Sequence, residues 1–318
     1  MTDLSIIICT HNRVAILQET LSCISACTLP SEMSVELVIV ANACTDETHA
    51  LLEHFTRQGN QALMPMRWII EAHAGKSHAL NTAVDSTHSN ALCFLDDDQH
   101  VEKDFIVALG HALQHHTDFE IICGYRMPAW DGTEAPWVHQ TDPYRIPIRP
   151  IPEYDQGNQG HEITAQQRQP SGGNICVRRS LLSRMPVVFD TDKGPHGRTH
   201  EGGEDHDFIK RAREAGARIY YDPHIRQSHI LQHERLTWSY MMRKSYHRSY
   251  GNFLLQNAHG PRPYMLRLSG LHLLRAITSI DSKRRFYYWI RFAAVLGELK
   301  ASLDHSRKSH NTDRERER

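Results

Sequence analysis

Five short Ile- and Val-rich runs, separated by segments of helical length, restrict the first 125 residues of this chain to an alternating α/β architecture. The runs are Leu4–Thr10, Val35–Val40, Trp68–Ile70, Ala91–Leu95 and Ile121–Cys123, each bounded by polar clusters. Apolar runs of this length and composition read as buried strands. Between them, residues 14–26 carry Val14, Leu17, Leu21 and Ile24 at helical spacing. Residues 45–57 open with Thr45-Asp46-Glu47-Thr48, an N-terminal cap and an acidic first turn, and 76–86 and 102–115 read the same way. Strand–helix–strand repetition predicts a doubly wound, mostly parallel sheet. Ligands of such a sheet bind beyond the carboxyl ends of its strands, so the polar residues just after each strand are the ones to examine.

The rest of the chain is organised differently. Residues 127–172 are rich in Pro, Gly and Gln and show little periodicity, as functional or mobile loops do. Regular structure is predicted to resume with a strand at Asn174–Val177, a helix at 203–215 and a strand at Arg218–Tyr221. Arg178-Arg179 reads as the start of a solvated helix. Beyond about residue 235 the pattern is helical, basic and aromatic. The division expected is an α/β domain over 1–232, a helical region over 233–304 and a disordered polar tail over 305–318. A chain of 318 residues with 40% hydrophobic side chains buries a core without disulfide or metal staples.

Charge and cysteine usage exclude some classes. A net charge of −1 is no nucleic-acid signature. That balance conceals 20 basic and 31 acidic residues over 1–239 against 16 basic and 6 acidic over 240–318. A basic C-terminal part suggests an anionic partner, a membrane face among them. The opening Met1-Thr2-Asp3-Leu4 lacks the features of a secretory signal, and no uncharged stretch is long enough to span a bilayer. Seven cysteines is an odd number, and Cys9, Cys93 and Cys123 sit in strand-like runs as small hydrophobes. A reducing cytoplasm is the compartment expected. Cys23 and Cys27 lack the second pair that a zinc site requires.

Five polar clusters fall where a sheet of this kind places its ligand. They are Thr10-His11-Asn12-Arg13, Asn42-Ala43-Cys44-Thr45-Asp46, Gly75-Lys76 ahead of Asn81, Asp96-Asp97-Asp98, and Glu204-Asp205-His206-Asp207 opening a helix. Adjacent carboxylates repel: at an effective dielectric near 20, a like-charge pair about 4 Å apart costs roughly 4 kcal/mol. A divalent cation offsets that, and oxygen ligands suit Mg²⁺ or Mn²⁺. The alternative is an exposed acidic turn capping the next helix. Carboxylates at 204–207 are equally ordinary caps, but beside a metal one of them, Asp205, can act as a general base.

In their order these segments resemble the family 2 glycosyltransferases, which have the GT-A fold. Ser5-Ile6-Ile7-Ile8-Cys9-Thr10-His11-Asn12-Arg13 is similar to that family's opening strand, and Val38-Ile39-Val40-Ala41-Asn42-Ala43-Cys44-Thr45-Asp46 to its second strand and turn. Gly75-Lys76 with Ala79-Leu80-Asn81 resembles the third motif, and Phe94-Leu95-Asp96-Asp97-Asp98 the DxD motif. Gly172-Gly173-Asn174 and Gly203-Glu204-Asp205-His206-Asp207 resemble the acceptor-side and base motifs. The resemblance covers about residues 3–230. It implies an inverting transferase that moves a sugar from a nucleotide-diphospho-sugar to an acceptor hydroxyl, in bacterial-type cell-surface glycan or polysaccharide synthesis.

The same resemblance implies roles. Thr10, Asn12, Arg13, Asn42 and Lys76 would surround the base and ribose, with Asp46, Asn81, Gly173, Asn174 and Glu204 completing the nucleotide-sugar site. Asp96 and Asp97 would contact ribose and donor sugar. Asp98 would hold Mn²⁺ or Mg²⁺ on the diphosphate, with His229, after the last strand, as a further ligand. Asp205 would take the acceptor's proton. One departure is Ala41, where the family usually has an Asp that recognises base or ribose, which leaves the donor base open and makes a shifted contact from Asp46 conceivable.

Two regions carry alternatives. Trp130, Trp137, Tyr144 and Tyr154 either form an acceptor lid or pack on their own domain. Trp238–Leu255 and Phe286–Phe292, basic and aromatic, either lie in a membrane interface, on the cytoplasmic face beside a lipid-linked or glycan acceptor, or are packing helices. Two other functions compete with transfer: a sugar nucleotidyltransferase, against which the Thr10–Arg13 turn argues by lacking a Gly-rich basic loop, and a degenerate sugar-nucleotide or metal-binding module without activity.

Overall fold

A computed structural model describes residues 2–59, 64–192, 203–255 and 263–316. The chain divides into two compact units. The first takes in Met1–Ala129, Pro152–Thr199 and Gly203–Ile230, and the second Trp130–Ile151 and Leu231–Arg318.

The first unit begins with β1 (Leu4–Thr10), α1 (Val14–Ser25), β2 (Val35–Asn42), α2 (Thr48–Gly59), β3 (Met66–Glu71), α3 (Lys76–Ser86) and β4 (Ala91–Asp96). It continues with β5 (Gln99–Val101), α4 (Phe105–His115), β6 (Ile121–Pro128), β7 (His161–Ile163), β8 (Ile175–Arg178), α5 (Arg179–Leu182), α6 (Glu204–Glu214) and β9 (Ile219–His229). The strands form one sheet in the order β3-β2-β1-β4-β8-β6-β9-β5, with β7 paired to β9. Strands β3, β2, β1 and β4 are mutually parallel, as are β6 and β9, while β8 runs antiparallel to both its neighbours. The mostly parallel, doubly wound sheet read from the sequence is therefore present.

Its strands read as unbroken apolar runs because both faces of the sheet are covered. Successive residues of β1 serve opposite layers. Ile7 packs with Val38, Val40 and Phe94 beneath α3 and α6, whereas Ile6 and Ile8 pack with Leu37 and Ile39 beneath α1 and α4. Each of these side chains is essentially solvent-free, and burying one contributes about 1.5–3 kcal/mol. The parallel register aligns Thr10 with Ala41 and Cys9 with Asp96, so the polar ends of β1, β2 and β4 share one edge.

Several elements depart from the sequence reading. Strands β5 and β7 are three residues each, too short for periodicity to reveal. Strand β9 continues eight residues past Tyr221 to His229, with buried residues alternating with exposed or partly exposed ones from Pro223 on. The arginines at 178 and 179 open α5 as expected but are half-buried: Arg178 donates to the carbonyls of Phe119 (2.8 Å) and Leu113 (2.6 Å), and Arg179 to Ser89 (3.1 Å) and Val84 (3.1 Å). Guanidinium groups here satisfy carbonyl oxygens left over at helix and strand ends. Tyr154 is fully buried in the core, with its hydroxyl donating to the Arg168 carbonyl at 3.0 Å, so it belongs to the packing alternative.

The second unit is helical: α7 (Trp238–Leu255), α8 (Pro263–Thr278) and α9 (Ser282–Arg316), after a 3₁₀ turn at His233–Leu236. Helix α9 runs through most of the stretch expected as a polar tail. Met241, Phe286 and Ile290 form one buried cluster, against which Trp137 and Ile146 pack. Phe253, Met265, Val295 and Ala301 form another. Trp137 meets Phe286 edge-on at 5.1 Å, Tyr144 meets Tyr287 at 5.7 Å, and Trp238 stacks on Phe286 at 4.4 Å. These aromatics of the loop, α7 and α9 thus pack on one another, and aromatic pairing of this kind adds about 0.5–1.5 kcal/mol beyond area burial. Among the described residues, no helix is long and apolar enough to cross a membrane.

Candidate active site

The edge where β1 and β4 end, completed by the α6 N-terminus and the Gly172-Gly173 turn, holds a small cleft. Its polar wall is Lys76, Asp96 and Asp205, and its apolar wall includes Phe94 and Phe189. Helix α3 starts at Lys76 because Gly75, at φ 145°, turns the chain there as few other residues can. The Lys76 ammonium lies 3.1 Å from Asp96, 3.4 Å from Glu204 and 4.0 Å from Asp205. Burial works against its charge, but Asp205, Asp96 and Glu204 outweigh this and hold its pKa well above the ordinary lysine value.

The carboxylates of this cluster differ in state. Burial pushes Asp96 up, yet Lys76 and Arg126 prevail and hold it below the usual carboxylate range. Burial pushes Asp205 up to about 6 in spite of Lys76, with Glu204 and Asp96 adding to the rise. One carboxyl is thus kept ionised while its neighbour titrates near neutrality, the separation that acid–base work requires. Gly172 and Gly173 make the close approach possible. A Cβ at Gly172 would stand 2.1 Å from Oδ1 of Asp205, and one at Gly173 would stand 2.1 Å from Oδ2 of Asp96. Gly173 also holds φ 59°, in the left-handed region.

Beside this cluster lies a second one. Arg13 is ion-paired with Asp97 and, at 2.7 Å, with Oδ2 of Asp98. Thr10 donates to the other oxygen of Asp97 at 2.7 Å. Burial pushes Asp97 up to about 6 although Arg13 opposes it. Oδ1 of Asp98 faces Nε2 of His229 at 3.2 Å, both side chains being almost wholly buried. A carboxylate oxygen and an imidazole nitrogen at that separation fit two ligands of one divalent cation, and this mixed donor pair suits Mn²⁺ at least as well as Mg²⁺. No group of three or more metal-ligating side chains occurs among the described residues, so a cation held here would draw its other ligands from phosphate oxygens and water.

Other residues expected at the site serve its frame. Asn12, at φ 52°, accepts from the amides of Thr45 (2.6 Å) and Asp46 (3.2 Å). Asn42 donates to the His73 carbonyl at 2.7 Å and accepts from Gly75 N–H at 2.8 Å, which fixes the turn that starts α3. Asp46 caps α2 through Thr48 at 3.2 Å and accepts from Val14 N–H at 3.1 Å, so both its oxygens are occupied. Asn81 clamps the backbone of Phe189 in both directions, at 2.8 and 3.0 Å. Asn174 likewise brackets Gly124, at 2.8 and 3.2 Å. Ala41 is buried in the apolar layer with Ile8 and Ile39, and offers no polar group.

Sequence reasoning missed Arg126. It is 2% exposed on β6, with NH1 3.9 Å from Oδ2 of Asp96 and NH2 donating to Ser171 at 2.5 Å. Its Nε has no hydrogen-bond partner among the described residues, and burial lowers its pKa. A lone arginine in an otherwise unremarkable strand gives no signal until β6 is placed beside the cleft.

Similarity to known proteins agrees with this geometry. Residues 5–186 match the family described as glycosyl transferase family 2. The chain is 24% identical over 259 residues to the succinoglycan biosynthesis protein ExoM of Rhizobium meliloti (strain 1021), covering 80% of this chain and 76% of that one. Among solved structures it is similar to the mannosyltransferase PcManGT from Pyrobaculum calidifontis in complex with GDP-Man and Mn²⁺, with a TM-score of 0.58, 15% identity and coverage of 95% and 87%. It is also similar to S. aureus TarS 1-349 in complex with UDP-GlcNAc, with a TM-score of 0.55, 14% identity and coverage of 96% and 92%. At such identities the likeness is one of fold, and that fold is GT-A.

Proposed function

Since the chain belongs to glycosyl transferase family 2, we propose that its cleft transfers a sugar from a nucleotide-diphospho-sugar to an acceptor hydroxyl with inversion at the anomeric carbon. The observation that carries this reading is the convergence of three carboxylates, Asp96, Glu204 and Asp205, within 4.0 Å of the Lys76 ammonium. A base, an ionised carboxylate and a fixed cation there meet beside a two-donor metal site.

In this reading Asp205 accepts the proton of the acceptor hydroxyl as its oxygen bonds to the anomeric carbon. The bond from that carbon to the diphosphate oxygen breaks with its electron pair going to the diphosphate. Attack from the opposite face in one displacement inverts the centre. The Lys76 ammonium would stabilise electrostatically the negative charge that grows on the departing diphosphate. Asp96, kept ionised, orients hydroxyls of the ribose and donor sugar, with Asp97 held for the same task by Arg13 and Thr10. Asp98 and His229 would hold Mn²⁺ or Mg²⁺, which supplies Lewis-acid neutralisation of the diphosphate. Asn12, Asn42, Asp46, Asn81 and Asn174 keep the loops of the site in place.

The relatives support the setting. One is a succinoglycan biosynthesis protein, which supports polysaccharide assembly as the context of the transfer. Incubating the protein with a panel of nucleotide-sugars and Mn²⁺ tests the reading. Release of a nucleoside diphosphate supports transfer. Release of pyrophosphate from a parallel incubation with nucleoside triphosphates and sugar 1-phosphates would assign a nucleotidyltransferase, and tight nucleotide-sugar binding with no release in either would assign a binding module.

A further inference from the structure

We propose that the outward face of α8 docks the protein onto an anionic lipid surface. Helix α8 has one buried side and one exposed apolar side. Its inner side, Met265, His272 and Ala276, is buried within the helical unit. Its outer side exposes Leu266 (67%), Leu274 (59%) and Ile277 (66%), with Ile280, just past the helix end, 98% exposed. At helical spacing Leu266, Leu274 and Ile277 fall on one side of α8, and Ile280 follows beyond its end. A contiguous apolar stripe left in water marks an interaction surface rather than a scatter of surface leucines.

Charge identifies the occupant. From Tyr264 to Arg285 the chain carries five basic residues, Arg267, Arg275, Lys283, Arg284 and Arg285, and one acidic residue, Asp281. All five basic residues are exposed. Two of them, Arg275 and Arg284, also lie over the rings of Tyr288 and Tyr144. An exposed apolar stripe on a stretch of chain with a surplus of cations matches the interface of a bilayer rich in anionic lipid, where acyl chains take the stripe and headgroups the cations. With no helix able to span among the described residues, α8 would lie in the plane of that interface. A second copy of the chain fits less well. Antiparallel pairing of two stripes about Leu271 sets Arg267 against the other copy's Arg275, and parallel pairing sets each arginine against itself. Phe253 of α7 and Phe286 of α9 are buried and take no part in this surface.

The test needs neither donor nor acceptor, so it is independent of the transferase reading. The full chain is sedimented with vesicles of phosphatidylcholine alone and of phosphatidylcholine with phosphatidylglycerol. Binding is expected to the anionic vesicles, to weaken as salt rises, and to be far weaker to the neutral ones. The L274E/I277E variant is expected to lose about tenfold or more in partition with unchanged melting, since both positions are exposed. The R267E/K283E variant, which leaves the stripe intact, is expected to lose about tenfold for its reversed charges. Undiminished vesicle binding by L274E/I277E would overturn the proposal, as would absence of binding by the unaltered chain. A lipid-free dimer that L274E/I277E splits, with no vesicle binding, would instead give the stripe to a second copy.

Discussion

Gly172 lies against the Asp205 carboxyl so closely that a Cβ built on it would stand 2.1 Å from Oδ1. The backbone of Gly172 needs no left-handed conformation, so space alone forbids a side chain there. G172A is therefore expected to fold and to push Asp205 out of line. A misplacement of about 1 Å near reacting atoms costs on the order of a hundredfold in rate. Steady-state kinetics should show kcat falling by that order, with the melting temperature near that of the parent. Unaltered kcat would mean that Asp205 is not held by this contact.

Titration of Asp205 sets the pH profile. Burial raises its pKa to about 6, and a base works only when deprotonated. The rate is accordingly expected to climb with pH through about 6 and to level above it. D205N removes the base while keeping the shape of the side chain. It should bind nucleotide-sugar as the parent does, lose transfer by about a hundredfold or more, and show no rise near that pH. A retained pH rise in D205N would assign the ionisation to another group.

Asp98 and His229, 3.2 Å apart, supply the proposed cation with one carboxylate and one imidazole. Removing either leaves a single protein ligand, and each is expected to weaken Mn²⁺-dependent binding of a nucleoside diphosphate by about tenfold or more. Calorimetry of D98N and H229Q, with and without chelator, checks this. Nucleotide affinity in the parent that is indifferent to chelator would remove the metal from the site.

The sheet was legible because β1, β2 and β4 are covered on both faces, which leaves continuous Ile and Val runs that only buried strands require. The site was legible where chemistry forces an unusual pattern, as at Asp96-Asp97-Asp98 and at Gly172-Gly173. It was opaque where one residue type has two uses. An amide that clamps a backbone, as Asn42, Asn81 and Asn174 do, is spelled the same way as one that grips a ligand. The C-terminal helices were opaque for a similar reason. Aromatics on a basic helix suit a bilayer and a helix–helix contact equally, and nothing in the sequence tells the buried Phe286 from the exposed Trp238.

Arg126 carries a consequence of its burial. The guanidinium is 2% exposed, 3.9 Å from Asp96, and shares with Lys76 the work of keeping that carboxyl ionised. R126K retains the charge, but lacks the fork that reaches Ser171 and Asp96 together. It should raise KM for the donor by about tenfold and change kcat little, because Asp96 is proposed to orient the sugar rather than to take part in bond cleavage. R126M removes the charge as well. It leaves Asp96 with Lys76 as its near cation, and stability should fall on the order of 3 kcal/mol, the cost of taking one partner from a buried ionic contact. Urea denaturation of both variants separates the two effects. Equal stability of R126M and the parent would show that Lys76 alone compensates Asp96, and would return Arg126 to a space-filling role in β6.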